Sequence, residues 1–242
     1  MTVKFRAAAV LAAAFLLLPL LSGCGLLTDS ITAKLGSVTA DILVSGELNS
    51  MYKGEFSEEY RERSGYTEEE LTELRQEYLL YEADFLAAYW EITDEYVMFS
   101  DLSPSLQDAL IELCDAMYRS TKYSFEAAVA QKNGTYTVQA TIEPVDLVYQ
   151  ITQAWEEGGH EPLDDFFEKY TEDKILAMND TEYIAYCEEF GWIIVNWFNE
   201  LLPGLGYMDA KTQVIQIEAT EDGLVINEDD AGIFNSYIIY YP

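Results

Sequence analysis

Apolar positions recur along this chain with three spacings, and each spacing predicts a different element. The first is unbroken. From Ala7 to Leu18 every residue is apolar, after Lys4 and Arg6 and before Pro19. A basic start, a short apolar centre and a small-residue exit predict a secretory signal peptide over residues 1–23. The run is shorter than the roughly 20 residues that a membrane-spanning helix needs.

The second spacing is helical. Ser37 to Lys53 carries Ile42, Leu43, Leu48 and Met51, interrupted by Gly46 and closed by Gly54, where a left-handed residue is wanted. Ser57 fits the start of a short helix. Thr67 and Glu70 form a capping box, in which each side chain accepts the other residue's free backbone N–H. Behind it Leu71, Leu74, Tyr78, Tyr81, Phe85, Ala88 and Ile92 predict one buried stripe on a helix reaching about Met98. Ser103-Pro104 opens another helix, with Leu106, Leu110, Leu113 and Met117 inward. Further helices are predicted over 146–156, 162–177 and 181–202, with Gly158-Gly159 separating the first two. The last is the most apolar, through Phe190, Ile193, Ile194, Trp197, Phe198 and Leu201, and is expected at the centre; Pro203-Gly204 stops it.

The third spacing is alternation. Tyr123, Phe125, Ala127 and Val129 precede Asn133-Gly134, and Tyr136, Val138, Ala140 and Ile142 follow it. Asn-Gly between alternating runs predicts a hairpin in which both turn residues take positive φ. A second hairpin joins "KTQVIQIEAT" to "LVIN" across Glu221-Asp222-Gly223, and Asp229-Asp230 is placed to cap a short final helix.

Helices, hairpin, helices, hairpin and helix in that order predict an α+β fold. The two hairpins are expected to join into a four-stranded antiparallel sheet with helices on one face, and helix–hairpin units suggest a weak pseudo-repeat. Residues 37–242 are expected to form a single domain, and 24–36 a short tether.

Charge narrows the function. The chain has 44 acidic and 13 basic side chains; loss of Lys4 and Arg6 with the leader leaves 11, a net of −33. Nucleic acid is excluded, since its phosphates require Lys and Arg. Anionic lipid is equally repelled, and cations or basic partners are favoured. Half the residues are hydrophobic and 18 are tyrosine, so a folded core is expected.

Leu21-Ser22-Gly23-Cys24 resembles the lipobox of bacterial lipoproteins. That resemblance implies cleavage before Cys24, acylation of its sulfur by palmitate-like chains, and anchorage on the extracytoplasmic face of the cell membrane. One acyl chain anchors only marginally, and several anchor durably. "MYKGEF", "KYSFEAAVAQKNGTYTVQATIEP" and "EDGLVIN" together look like a group of uncharacterised lipoproteins of low-GC Gram-positive bacteria. This second resemblance implies a surface location and a folded domain, and no activity.

Candidate chemistry is sparse. Cys114 and Cys187 sit in helical patterns and read as buried free thiols, with one disulfide as the alternative. His160 is the only histidine. "HEPLD" lacks the second histidine of the zinc motif, and Pro162 would break the helix that motif needs. "NEDDAG" puts Ala231 and Ile238 where an EF-hand requires ligands. The sequence therefore assigns no catalytic residue, metal site or cofactor. Trp90, off the Leu71–Ile92 stripe, is the candidate for an exposed contact. The leading expectation is a lipid-anchored, non-catalytic domain binding an unidentified ligand or protein partner. The alternatives are an envelope hydrolase using paired carboxylates, and a structural or assembly factor for exported proteins.

Overall fold

A computed structural model describes residues 25–158, 161–220 and 223–242, apart from the side chains of 25–35 and 161. The leader, Cys24, Gly159, His160 and Glu221-Asp222 lie outside the described residues. The architecture is α+β, as expected. Contacts divide the chain into two units, each assembled from separate stretches: 1–75, 122–143 and 209–238 in unit 1, and 76–121, 144–208 and 239–242 in unit 2. Both hairpins fall in unit 1 and the helices between them in unit 2, so the helix–hairpin order does not produce two similar halves.

Unit 1 holds the sheet. Its strands are β1 (Lys122–Phe125), β2 (Val129–Ala130), β3 (Tyr136–Glu143), β4 (Lys211–Thr220) and β5 (Gly223–Ile226), in spatial order β1-β3-β4-β5 with β2 also paired to β3. All pairings are antiparallel, and β3 meets β4 from Tyr136↔Ile217 to Ile142↔Lys211. Alternation puts Val138, Ala140, Ile142, Ile215 and Ile217 on the covered face, each 0% exposed. Burying side chains of this size stabilises by roughly 1.5–3 kcal/mol apiece for the larger ones.

The first hairpin departs from simple alternation. Phe125 pairs with Ala140 but Val129 with Thr137, so one strand spends an extra residue between these pairs. This bulge reverses which side chains face inward. Ala128 becomes buried, its N–H donating to Asp41 Oδ1 at 2.6 Å, and Val129, expected inside, is 58% exposed. The turn also differs: Gln131 N–H donates to Thr135 O at 2.8 Å, enclosing three residues, and only Gly134 takes positive φ, at 87°.

Two helices cover the sheet. Helix α1 (Gly25–Leu48) packs on β2, β3 and β5, and the final helix packs on β4. Residues 25–36, expected as tether, are therefore part of α1. A wider turn, Asn49–Lys53, extends it to Gly54, whose φ is 66°. Ser57 caps α2 (Glu58–Ser64) by accepting from Tyr60 N–H. Tyr60 lies flat against α1 at Gly46, where a side chain's Cβ would stand 2.3 Å from the ring. The final helix, Glu228–Ser236, is capped by Asn227 rather than by Asp229-Asp230, because Asn227 Oδ1 is the atom that accepts Asp230 N–H. Its Phe234 rests on the rings of Tyr52, Tyr123 and Phe125.

Helix α3 (Glu68–Tyr89) leads from unit 1 to unit 2 after Arg75. Its capping box is present: Thr67 N–H donates to Glu70 Oε2 at 2.8 Å, and Glu70 N–H to Thr67 Oγ1 at 3.2 Å. Unit 2 continues with α4 (Pro104–Arg119), α5 (Leu147–Glu156), α6 (Glu161–Lys169), α7 (Glu172–Leu176) and α8 (Asp180–Leu201). The apolar α8 is central, packing on α4, α5 and α6. Asn179 and Glu182 form a capping box at its start. The chain's last residues belong here too: Val145 bridges Tyr207 and Ile239, and Tyr240 N–H donates to Val145 O at 2.9 Å.

Candidate functional site

Charge is unevenly shared. Unit 2 carries 24 of the 44 acids but 3 of the 13 Lys and Arg residues, a net of −21 out of −31. From Gln76 to Tyr118 there are ten acids and no Lys, Arg or His. A surface of this kind attracts cations over distances set by ionic screening.

The same unit exposes aromatic rings. The buried residues of α3 are Leu71, Arg75, Leu79, Glu82, Ala83, Leu86 and Ala87, followed by Trp90 just past its end. The expected stripe holds at Leu71 and Ile92 but is out of phase between them, at Tyr81, Phe85 and Ala88. Tyr81 is 67% exposed, Phe85 45% and Tyr89 36%, while Trp90, expected to be exposed, is 8%. Trp90 is on the inward phase set by Leu79, Ala83 and Leu86. It stacks on Trp155 at 5.9 Å and meets Phe198 edge-on at 5.6 Å. Its Nε1–H is buried without a hydrogen-bond acceptor among the described residues.

Trp90 is the middle of a continuous series of ring contacts. On one side Tyr89 lies 5.8 Å away, then Tyr241 at 4.9 Å from Tyr89 and 5.3 Å from Phe85. The Val145 bridge, by fixing Ile239, brings Tyr241 to this place. On the other side Trp155 contacts Phe167 and Phe190, Phe166 contacts Phe190 and Tyr186, and Tyr186 stacks on Tyr183 at 5.6 Å. Offset and edge-on contacts of this sort each add about 0.5–1.5 kcal/mol beyond the area buried. Trp155 and Phe167 remain partly exposed.

A cleft of about 340 Å³ opens at that second end, lined by Pro162, Asp165, Phe166, Lys169, Glu189 and Ile193. Lys169 Nζ reaches both oxygens of Glu189 at 2.6 Å, and Tyr170 OH donates to Glu189 Oε2 at 2.7 Å. The Lys169 hydrogen bond holds the Glu189 carboxyl below its ordinary pKa, against the opposing effect of burial. Nearby on the same helix Tyr183 OH donates to Asp94 Oδ2 at 2.7 Å. Burial opposes ionisation of Asp94, but this bond and those from Tyr96 and Val97 N–H outweigh it and lower the pKa.

Glu82 is 5% exposed inside unit 2. It shares a hydrogen bond with Tyr118, whose hydroxyl also accepts from Tyr78 OH at 3.4 Å. Cys114 lies beside this carboxylate. Burial first, then Glu82 and Asp115, push its thiol pKa far up. Burial raises that of Cys187 to about 11, with Asp94 adding to the rise. Both cysteines are buried and free, the first of the two states left open by the sequence. A thiol held protonated is a poor nucleophile, so both act as small apolar groups. No group of three Cys, His, Asp or Glu residues among those described is placed to hold a metal ion.

Of the residues singled out from sequence, Cys24 and His160 lie outside the described residues, and Trp90 is core. Tyr81 and Phe85, which build the exposed surface, were read as buried. The cation-free stretch around them was the available signal.

No protein-family model matches the chain, and no curated protein is detectably similar to it. Among solved structures its fold is similar to that of ycdA from Bacillus subtilis subsp. subtilis str. 168, a candidate lipoprotein. The TM-score is 0.52 at 16% sequence identity, over 84% of this chain and 59% of that one. At this identity the likeness concerns the fold alone.

Proposed function

We propose that this chain is a lipid-anchored protein of the extracytoplasmic membrane face, held through Cys24, and that unit 2 binds a ligand or protein partner on its acidic aromatic surface. The observation that carries the binding part is the exposed series of rings on a unit of net charge −21. The anchor is supported by the lipobox-like LSGC, residues 21–24, and by a fold shared with a candidate lipoprotein. No helix among the described residues is long and apolar enough to cross a membrane. Acyl chains would hold the protein against the repulsion between its own charge and anionic lipid.

Binding fits better than carboxylate hydrolysis. A general acid needs a carboxyl raised in pKa within a cleft. In the cleft of unit 2 Glu189 is shifted the opposite way by Lys169.

The anchor is tested by palmitate labelling and fractionation of cells producing the native chain or Cys24→Ser. The native chain should be labelled and sediment with membranes, and Cys24→Ser should lose both properties. Equal labelling of the two would refute acylation at Cys24.

A further inference from the structure

We propose that Tyr81, Phe85 and Tyr89, with Tyr241 beside them, form the docking face for a Lys- and Arg-rich amphipathic segment of another protein. The inference rests on the proposed binding role of unit 2 and specifies its partner. Residues four apart on a helix share a face, so the three rings form one row along α3. Two turns of helix separate the first from the last, about 12 Å. A helical partner presenting apolar residues at the same interval would match it.

Charge decides between occupants. Glu77 lies one turn before Tyr81, Asp84 beside Phe85, and Glu91 just past the helix; all three are exposed. Among the described residues none forms an ion pair with Glu77 or Asp84, and the nearest cations in sequence are Arg75 and Arg119. A segment laid over the rings would bring its flanking lysines to these carboxylates. The ring faces themselves attract ammonium and guanidinium groups. A second copy of this chain would bring two faces of like sign together, and anionic lipid would be repelled in the same way. The observed combination of rings and unpaired acids suits a basic amphipathic segment.

The test places the full-length chain in neutral phosphatidylcholine nanodiscs. A fluorescent peptide with one leucine face and one lysine face is titrated in, and its anisotropy measured. A peptide of the same pattern with glutamate for lysine is the control. The lysine peptide should bind and the glutamate peptide should not, and raising salt from about 50 mM to about 500 mM should weaken binding. Tyr81→Ser/Phe85→Ser and, separately, Glu77→Lys/Asp84→Lys should each weaken it by about tenfold or more. All four positions are exposed, so an unchanged thermal melt keeps the comparison free of folding defects.

Unchanged affinity in both double variants would overturn the inference, as would equal binding of the two peptides or none of either. So would a homodimer dissociated by Phe85→Ser, or insertion of the row into the disc, seen as quenching at residue 85 by lipid-borne quencher. Failure of the anchor looks different: the chain stays out of the discs, and the same titration is then made in solution.

Discussion

Glycine in the middle of a helix ordinarily costs about 0.8–1 kcal/mol relative to alanine. Two helical glycines in unit 1 should respond to Gly→Ala with opposite signs. At Gly232, in the helix Glu228–Ser236, an added Cβ meets nothing within 4 Å. Gly232→Ala should therefore stabilise by most of the helix-propensity difference. At Gly46 the same methyl would stand 2.3, 2.4 and 2.5 Å from Cγ, Cδ2 and Cβ of Tyr60, which is 3% exposed. Those atoms lie near the backbone of α2 and cannot swing away. Restoring ordinary contact requires α1 and α2 to part by roughly 1 Å, and overpacking of this kind costs about 1–3 kcal/mol. Three contacts this short put the cost in the upper part of that range, about 2–3 kcal/mol, so after the propensity gain is subtracted Gly46→Ala should be destabilised by about 1–2 kcal/mol. The assay is urea unfolding followed by far-UV circular dichroism. Tyr60→Ala and the double variant complete a cycle in which the Gly46→Ala penalty disappears. A Gly46→Ala protein as stable as the native chain would refute the packing argument, and a Gly232→Ala protein that is less stable would refute the propensity argument.

Loss of the cap at Asn179, whose Oδ1 accepts from Thr181 and Glu182 N–H at 3.1 and 3.2 Å, should make Asn179→Ala less stable by about 1 kcal/mol in the same assay. Burial beside Tyr60 raises the Glu47 carboxyl from its ordinary 4.5 to about 7, so between these values the native state binds more protons than the unfolded chain. This group's contribution is then fully present below pH 4.5 and lost as pH rises through about 7. Glu47→Gln should accordingly gain stability over the native chain at pH 8 but not at pH 4, and equal differences at both would refute it. Iodoacetamide at pH 8 should leave Cys114 and Cys187 unmodified in the folded chain and alkylate both in urea, as peptide mass spectra would show.

Local features were legible in the sequence because neighbours in the chain create them. The Thr67–Glu70 box, the Ser103-Pro104 start and the β4 strand depend on residues at most a few positions apart, and each formed where its pattern lies. The phase of α3 was not legible. Its inward face includes Arg75 and Glu82, polar residues that a hydrophobicity pattern assigns to solvent, and its outward face includes Tyr81 and Phe85. Arg75 is accommodated because Nη2 donates to Tyr52 O, 23 residues away, and Glu82 because its carboxylate accepts a hydrogen bond from Tyr118 OH. The bulge before Val129, the ring of Tyr60 against Gly46 and the return of Tyr241 to Phe85 likewise join distant stretches. Sequence alone determined most of the segments that become helix or strand, since periodicity and caps are local, though not that 25–36 continue α1 or that α3 stops at Tyr89. Tertiary structure decided which face each presents, because a buried charge is tolerated only where a partner from elsewhere in the chain satisfies it.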